Sequence, residues 1–446
     1  MHIGRRSLLK GVMGAGALAG LGAMGLSPIG SLLAQPRPLG RRLIACYFEG
    51  AWDVLLGPDA RDPAVRHPGI DQGTTLLDAQ WRDPVPVRLG STEVLWGAPM
   101  APMVAHRDVT TVFRGINMNT VAHPTGRAYV NTMMIPSGTA ARGSSLGTVF
   151  ATGGSLADDG PILPFVAIGM PAFNHRYPAE ANALRLDRPR EVMPMLSGPA
   201  GRMPQAIEAL LDAARDDSRA CIGAAYEGRD PAEEQRLSIE RMRRLEVEGF
   251  ADRFDFGGTS AEMQAIRARY GFAANATDGP GLQAAAAAQL IKTGLSRSVL
   301  VRLSRGHDTH GTNWATNQPT LLNSGFTAMA ALLDDLREDD PNLERTTVIA
   351  FSEFARTPRL NGTRGRDHWF AASMVVCGGL RPAVFGATNP DDLGLLRVDP
   401  TTGAPSADGI QLMPEHVAAT IVAAAGINHS DYRVDALTSL FPAARS

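Results

Sequence analysis

Residues 304–314 read SRGHDTHGTNW, so His307, Asp308 and His310 fall within four positions, directly after the apolar run RSVLVRL. Ionisable groups crowded at the end of a buried strand are poised to hold something. Other strand-like runs end in the same way. RLIACYF (42–48) is followed by Glu49 and Asp53, and TTVIAFS (346–352) by Glu353 and Arg356. A loop later come Arg366, Asp367 and His368, and after VTTVFRG (109–115) come Thr120, His123, Thr125 and Arg127. Each residue has a plain alternative. Asp53 or Asp308 could cap a turn, His123 could be a core histidine, and Glu353 could pair with Arg356. Carboxylates gathered without a cation would repel and raise their own pKa values, a problem that a divalent metal removes. A mixture of Asp, Glu and His suits Zn²⁺, Mn²⁺ or Mg²⁺, or Ca²⁺ if water and carbonyls join.

The elements that must position these groups are legible. Near-continuous Val/Ile/Leu runs predict buried strands at 42–48, 109–115, 162–169, 297–304, 346–352 and 372–379. Helical periodicity predicts helices at 203–215, 231–248, 281–293, 320–337 and 414–425. Alternating strands and helices imply an α/β fold with a mostly parallel central sheet flanked by helices. In such sheets, sites gather at the carboxyl ends of the strands, and four of the predicted strand ends carry the residues above. The charged stretch from about 200 to 280 reads as a helical insertion in a single domain, 35–446. Segments 57–95 and 385–411, rich in turn residues, read as long loops.

The chain has 446 residues, 44% hydrophobic and 20% charged, with a net charge of −2, so no basic field points to nucleic acid. Three cysteines make no disulfide framework, and Cys46 and Cys377 read as small buried hydrophobes. Residues 1–34 resemble a twin-arginine export signal: Arg5 and Arg6, a leucine two positions later, Lys10, then a weakly apolar Gly/Ala/Leu run. That run is glycine-rich and broken by Pro28, which argues against a permanent membrane span. The expected location is periplasmic or secreted, with the twin-arginine translocase as a transient partner. GSSLG (143–147) fits GxSxG without a preceding strand, and GLGAMG (20–25) fits GxGxxG inside the signal, so serine-esterase and dinucleotide readings are weak.

The blocks FEGAWD (48–53), NTVAHPTGRAY (119–129), SSLGTVFA (144–151), LPFVAIG (163–169), HDTHGTN (307–313) and SEFARTPRLNGTRGRDHW (352–369) together resemble the domain of unknown function 1501 family. That family is in turn similar to the alkaline phosphatase and sulfatase superfamily. The resemblance implies one or two divalent metals at the carboxyl edge of the sheet. It implies ligands at Asp53, Asp308, His310, Glu353, Asp367 and His368. Phe354 stands where the superfamily has a histidine, a departure that puts a full two-metal set in doubt. The resemblance also implies a hydroxyl nucleophile at a helix start, with Thr125 first, Thr120 second and His123 assisting. Pro124 suits the first turn of such a helix. Arg127, Arg356, Arg366 and His307 are the expected contacts to substrate, arginine being suited to oxyanions.

The activity so implied is hydrolysis of a phosphate, phosphonate or sulfate ester of a small molecule or polysaccharide. The alternative is an exported binding or assembly protein that keeps a structural metal without catalysis. Trp52, Trp314 and Trp369 lie beside the expected ligands and, if exposed, would stack on sugars; otherwise they pack the site.

Overall fold

The computed structural model describes residues 41–442, apart from 155, 157–159 and 198–249, where only Leu210, Ala213 and Ala214 are described. The export signal and the predicted helix 231–248 therefore lie outside the described residues, as does most of 203–215. Eight strands form the central sheet: β1 (Arg42–Glu49), β2 (Thr110–Asn117), β3 (Phe165–Ile168), β4 (Leu184–Leu186), β5 (Ser298–Arg305), β6 (Thr346–Phe351), β7 (Ala371–Cys377) and β8 (Ala383–Phe385). Their order is β8-β2-β7-β6-β1-β5-β3-β4. Strand β1 pairs in parallel with β5 on one side and β6 on the other. Only β7 runs against its neighbours, β2 and β6. The expected mostly parallel α/β sheet is the observed one.

Both faces of β1 are buried, which explains its unbroken apolar sequence. Ile44, Cys46 and Phe48 enter one apolar cluster, and Leu43, Ala45 and Tyr47 enter the other. The α-helices whose bounds fall among the described residues are α1 (His123–Thr132), α2 (Leu146–Ala151), α3 (Val192–Leu196), α4 (Ala261–Tyr270), α5 (Pro280–Lys292), α6 (Trp314–Asp339) and α7 (Pro414–Ala424). Helices α4, α5 and α6 feed the first cluster. Helices α1, α2 and α7 feed the second, closing a three-layer sandwich. Cys46 and Cys377 are free and buried.

Three sequence expectations need correction. The segment 57–95 is not all loop, because Val85–Leu89 and Thr92–Trp96 form an antiparallel hairpin across Gly90 and Ser91. Gly90 has φ +59, a conformation glycine adopts freely. Helix α6 begins at Trp314 rather than 320, carrying Pro319 inside its first turns. Strands β4 and β8 were not predicted, since three residues each are too few for a pattern to emerge.

Candidate metal centre

Strand direction explains why distant blocks meet. Strands β1, β5 and β6 are parallel neighbours, so their carboxyl ends share one edge. Strand β2 lies antiparallel to β7, as β6 does, so Asn117 ends at that edge as well. Because β7 is reversed, its start at Ala371 also lies there. His368, just before it, pairs with Arg356 in a two-residue antiparallel bridge. The Asp-His pair thus precedes a strand, whereas the other site residues follow one.

Asp308 Oδ1 is the meeting point. His310 Nε2 lies 2.9 Å from it, His368 Nε2 3.2 Å and His123 Nε2 3.4 Å. The opposite nitrogen of each ring is tied back. His123 Nδ1 lies 2.7 Å from Glu353 Oε1, and His310 Nδ1 lies 2.7 Å from Asp367 Oδ1. His368 Nδ1 donates to the Val121 carbonyl at 2.7 Å, since a carbonyl can only accept. This is how proteins orient metal-binding imidazoles, with Nδ1–H held and the Nε2 lone pair turned inward.

His310 Nε2 and His368 Nε2 are only 3.0 Å apart. With both Nδ1 atoms donating, neutral rings would face each other with two lone pairs. A cation between them removes that conflict. Ligand atoms at about 2.0–2.1 Å in a tetrahedral zinc site lie about 3.3 Å from one another. The 2.9–3.4 Å separations of His310, His368 and His123 from Asp308 Oδ1, and the 3.0 Å between His310 and His368, are close to that edge length. His123, Asp308 and His368 each offer one ligand atom, and those three atoms all lie within 4.8 Å of one another. The centre is open on one side, with Asp308 47% exposed and His310 45%.

Charge is graded around it. Burial works against an ionised Asp308, but the hydrogen-bonded Arg356 guanidinium outweighs it and holds the carboxyl well below the usual range. The Glu353 hydrogen bond raises the His123 pKa. Burial lowers that of His368, favouring the neutral, ligating ring. Hydrogen bonds from His310 and Asn361 keep Asp367 ionised, able to accept from both.

Several expected ligands and contacts have other partners. Asp53 is fully buried and outside the cluster. Its carboxylate accepts from Leu55 N at 3.0 Å and Trp314 Nε1 at 2.8 Å, and pairs with Arg366 Nε at 2.9 Å. Glu353 is also fully buried, accepting from Gly50 N at 3.0 Å and the Ser352 hydroxyl at 2.9 Å beside His123. Asp367 orients His310. Glu353 and Asp367 thus hold the His123 and His310 rings, while Asp53 holds Trp314 and Arg366. Phe354 is buried and packs at a tilt against His123 and His368, with ring centroids 4.9 and 4.6 Å away.

The expected anion clamps also have protein partners. Arg356, fully buried, donates to the carbonyls of Gly50, Ala51, His307 and Arg366 as well as to Asp308 at 2.7 Å. Arg366 donates to the carbonyls of Asp71, Thr357 and Pro358 and lies over the Trp314 ring at 4.7 Å. Neither guanidinium is free for a substrate. His307 is buried between Ser304 Oγ at 2.9 Å and Gln318 Oε1 at 3.2 Å, and burial pushes its pKa down to about 4. It is a neutral strut. Trp52 and Trp314 are fully buried and stack on no sugar, while Trp369 is partly exposed.

Thr125 lies partly exposed in the first turn of α1, two residues after His123. Thr120 Oγ1 instead accepts from Ala122 N at 3.1 Å, a local turn bond. Arg127 pairs with Glu49 at 2.9 Å. Sequence reasoning did not single out the Val121 carbonyl or Asn361, whose amide donates to Asp367 at 3.0 Å and to the His310 carbonyl at 2.9 Å. The glycines between the site residues were the available signal. A Cβ on Gly365 would meet the His310 carbonyl carbon at 2.1 Å, and one on Gly50 would meet Asp308 N at 2.6 Å.

The sequence matches the family described as "Protein of unknown function (DUF1501)" over residues 66–437. The chain belongs to that family. The resemblance to that family is therefore borne out, and the match takes in the HDTHGTN and SEFARTPR blocks. No curated protein matches the sequence. Solved structures that resemble it include Ps i-CgsB in complex with k-i-k-neocarrahexaose, at 8% identity and TM-score 0.38 over 90% of this chain and 75% of that one. A magnesium-bound mutant of the alkaline phosphatase from the Antarctic bacterium TAB5 gives 9% identity and TM-score 0.34 over 88% and 100% of the two chains. The lipoteichoic acid synthase LtaP from Listeria monocytogenes gives 8% and 0.33 over 88% and 73%. Likeness at these scores carries no argument about this chain.

Proposed function

We propose that this DUF1501 protein is a metal-dependent hydrolase of phosphate, phosphonate or sulfate esters, with one divalent ion held by His123, Asp308, His310 and His368. The convergence of three imidazole Nε2 atoms on Asp308 Oδ1, each ring anchored through Nδ1, carries the reading. A divalent ion there would supply Lewis-acid polarisation of an ester oxygen. Glu353 and Asp367 hold two of the rings, and Arg356 sets the position of the Asp308 carboxylate. The start of α1 turns backbone N–H groups towards the same region, which favours a bound oxyanion. Thr125, in that turn, is the hydroxyl we assign as nucleophile, and His123 serves as ligand rather than base.

The ester class rests on the superfamily resemblance of the motifs. The twin-arginine motif at Arg5 and Arg6 supports export through the translocase to the periplasm or beyond. No helix among the described residues is long and apolar enough to cross a membrane. The test is hydrolysis of 4-nitrophenyl phosphate, 4-nitrophenyl phenylphosphonate and 4-nitrophenyl sulfate by protein loaded in turn with Zn²⁺, Mn²⁺, Mg²⁺ and Ca²⁺. Turnover that disappears in His368→Ala, and falls at least about 100-fold in Thr125→Ala, supports the assignment. Bound metal without turnover on any ester would favour the exported binding protein.

A further inference from the structure

A second site lies on the same edge of the sheet. A cavity of about 720 Å³ opens beyond the ends of β3, β4 and β5, lined by Arg185, Arg188, Arg302 and Arg305 together with Asp187 and Asp278. Arg302 has Glu49 and Arg305 has Asp278 as ion-pair partners, which leaves Arg185 and Arg188 beside Asp187 in the same concavity. Asp278 pairs with Arg305 at 3.2 Å within the cavity and accepts from Gly279 N at 2.8 Å and Gln283 Nε2 at 2.9 Å. Arg302 is steadied by Glu49 at 3.3 Å, which also pairs with Arg127 at 2.9 Å. Arg185 and Arg188, both exposed, form no ion pair with the described residues. Gly169 adjoins the cavity with φ +69, and a Cβ there would lie 3.3 Å from Arg302 Cβ and Nε, so glycine leaves the Arg302 side chain its room.

Like charges are costly to hold together without a counter-ion, and arginine presents planar, paired N–H donors that match a tetrahedral or carboxylate oxyanion. The volume is far larger than one inorganic ion needs and lies within the range of pockets for small organic ligands. We infer that the Arg185/Arg188/Arg302/Arg305 cavity binds an oxyanion carried by a sugar-sized or larger molecule. The site stands independently of the metal centre. Its Arg302 shares Glu49 with Arg127, which lies one helical turn along α1 from His123.

Calorimetric titration of the full chain with inorganic sulfate and with glucose 6-sulfate, at constant ionic strength, tests this. Three proteins are compared: wild type, Arg185→Ala/Arg188→Ala and His310→Ala/His368→Ala. Both arginines are exposed, so folding should survive, and circular dichroism checks it. The expected result is binding in the wild type and the histidine variant, weakened at least about tenfold in the arginine variant. Tighter binding of glucose 6-sulfate than of sulfate supports the extended ligand; equal binding of the two would overturn it in favour of a free-ion site. No binding to the wild type, equal affinity in the arginine variant, or loss only in the histidine variant would each overturn the proposal.

Discussion

At the residue scale, the groups nearest the meeting point divide into those that would touch an ion and those that aim them. Asp367 is the clearest aiming residue, because it is half-exposed and removing its charge opens no core. Asp367→Asn should weaken metal affinity by about 10–100-fold while leaving the melting temperature nearly unchanged, read by chelator competition. Unchanged affinity would remove the residue from the account. Arg356 is different. Its fully buried guanidinium serves four carbonyls and Asp308, so Arg356→Met should cost about 3–5 kcal/mol in urea unfolding. A loss under about 1 kcal/mol would show that those carbonyls find other donors.

His123 adds a pH dependence. The Glu353 bond raises its pKa, so the proton competes with a metal above the ordinary histidine value of about 6.5. Metal affinity should therefore begin to fall while the pH is still above that value, and fall further below it. Titration of bound metal from pH 8.5 to 5.5 checks this.

At the element scale, the sheet order does most of the positioning. Three strands that are neighbours in space, β6, β1 and β5, are far apart in sequence, and the reversed β7 brings Asp367 and His368 to their carboxyl ends. The residue blocks and the parallel sheet were legible because buried parallel strands read as continuous apolar runs. The division of labour among carboxylates was not. Asp53, Glu353 and Asp367 look like Asp308 in a sequence, and only their partners Arg366, Gly50 N and His310 separate support from ligation. Arg356 and Arg366 misled for the same reason: their carbonyl partners lie in loops that no local pattern joins. The Gly50 turn ties β1 to the start of the 307–313 block. Gly50→Ala, with φ +108 and a 2.6 Å clash with Asp308 N, should lose at least about 1–2 kcal/mol of stability and displace Asp308. A variant that melts and binds metal like the wild type would contradict that role.

At the scale of the whole molecule, His307 couples the site edge to global stability. It is buried neutral with a pKa of about 4, below its unfolded value of about 6.5. The unfolded chain binds the extra proton between those values, so stability is full above pH 6.5 and falls as the pH drops towards 4. The loss expected is on the order of 3 kcal/mol, measured by urea unfolding at pH 7 and pH 4.5, and His307→Gln should flatten that slope.

The central claim is that three histidines and Asp308 hold one divalent ion. Elemental analysis of the purified protein, after equilibration with Zn²⁺, Mn²⁺, Mg²⁺ or Ca²⁺ and removal of free metal, tests it most directly. The account predicts one tightly bound ion per chain, and none in Asp308→Ala/His310→Ala despite a native circular dichroism spectrum. No retained metal in the wild type, or equal metal in the double variant, would contradict it and leave SRGHDTHGTNW as a hydrogen-bonded structural loop.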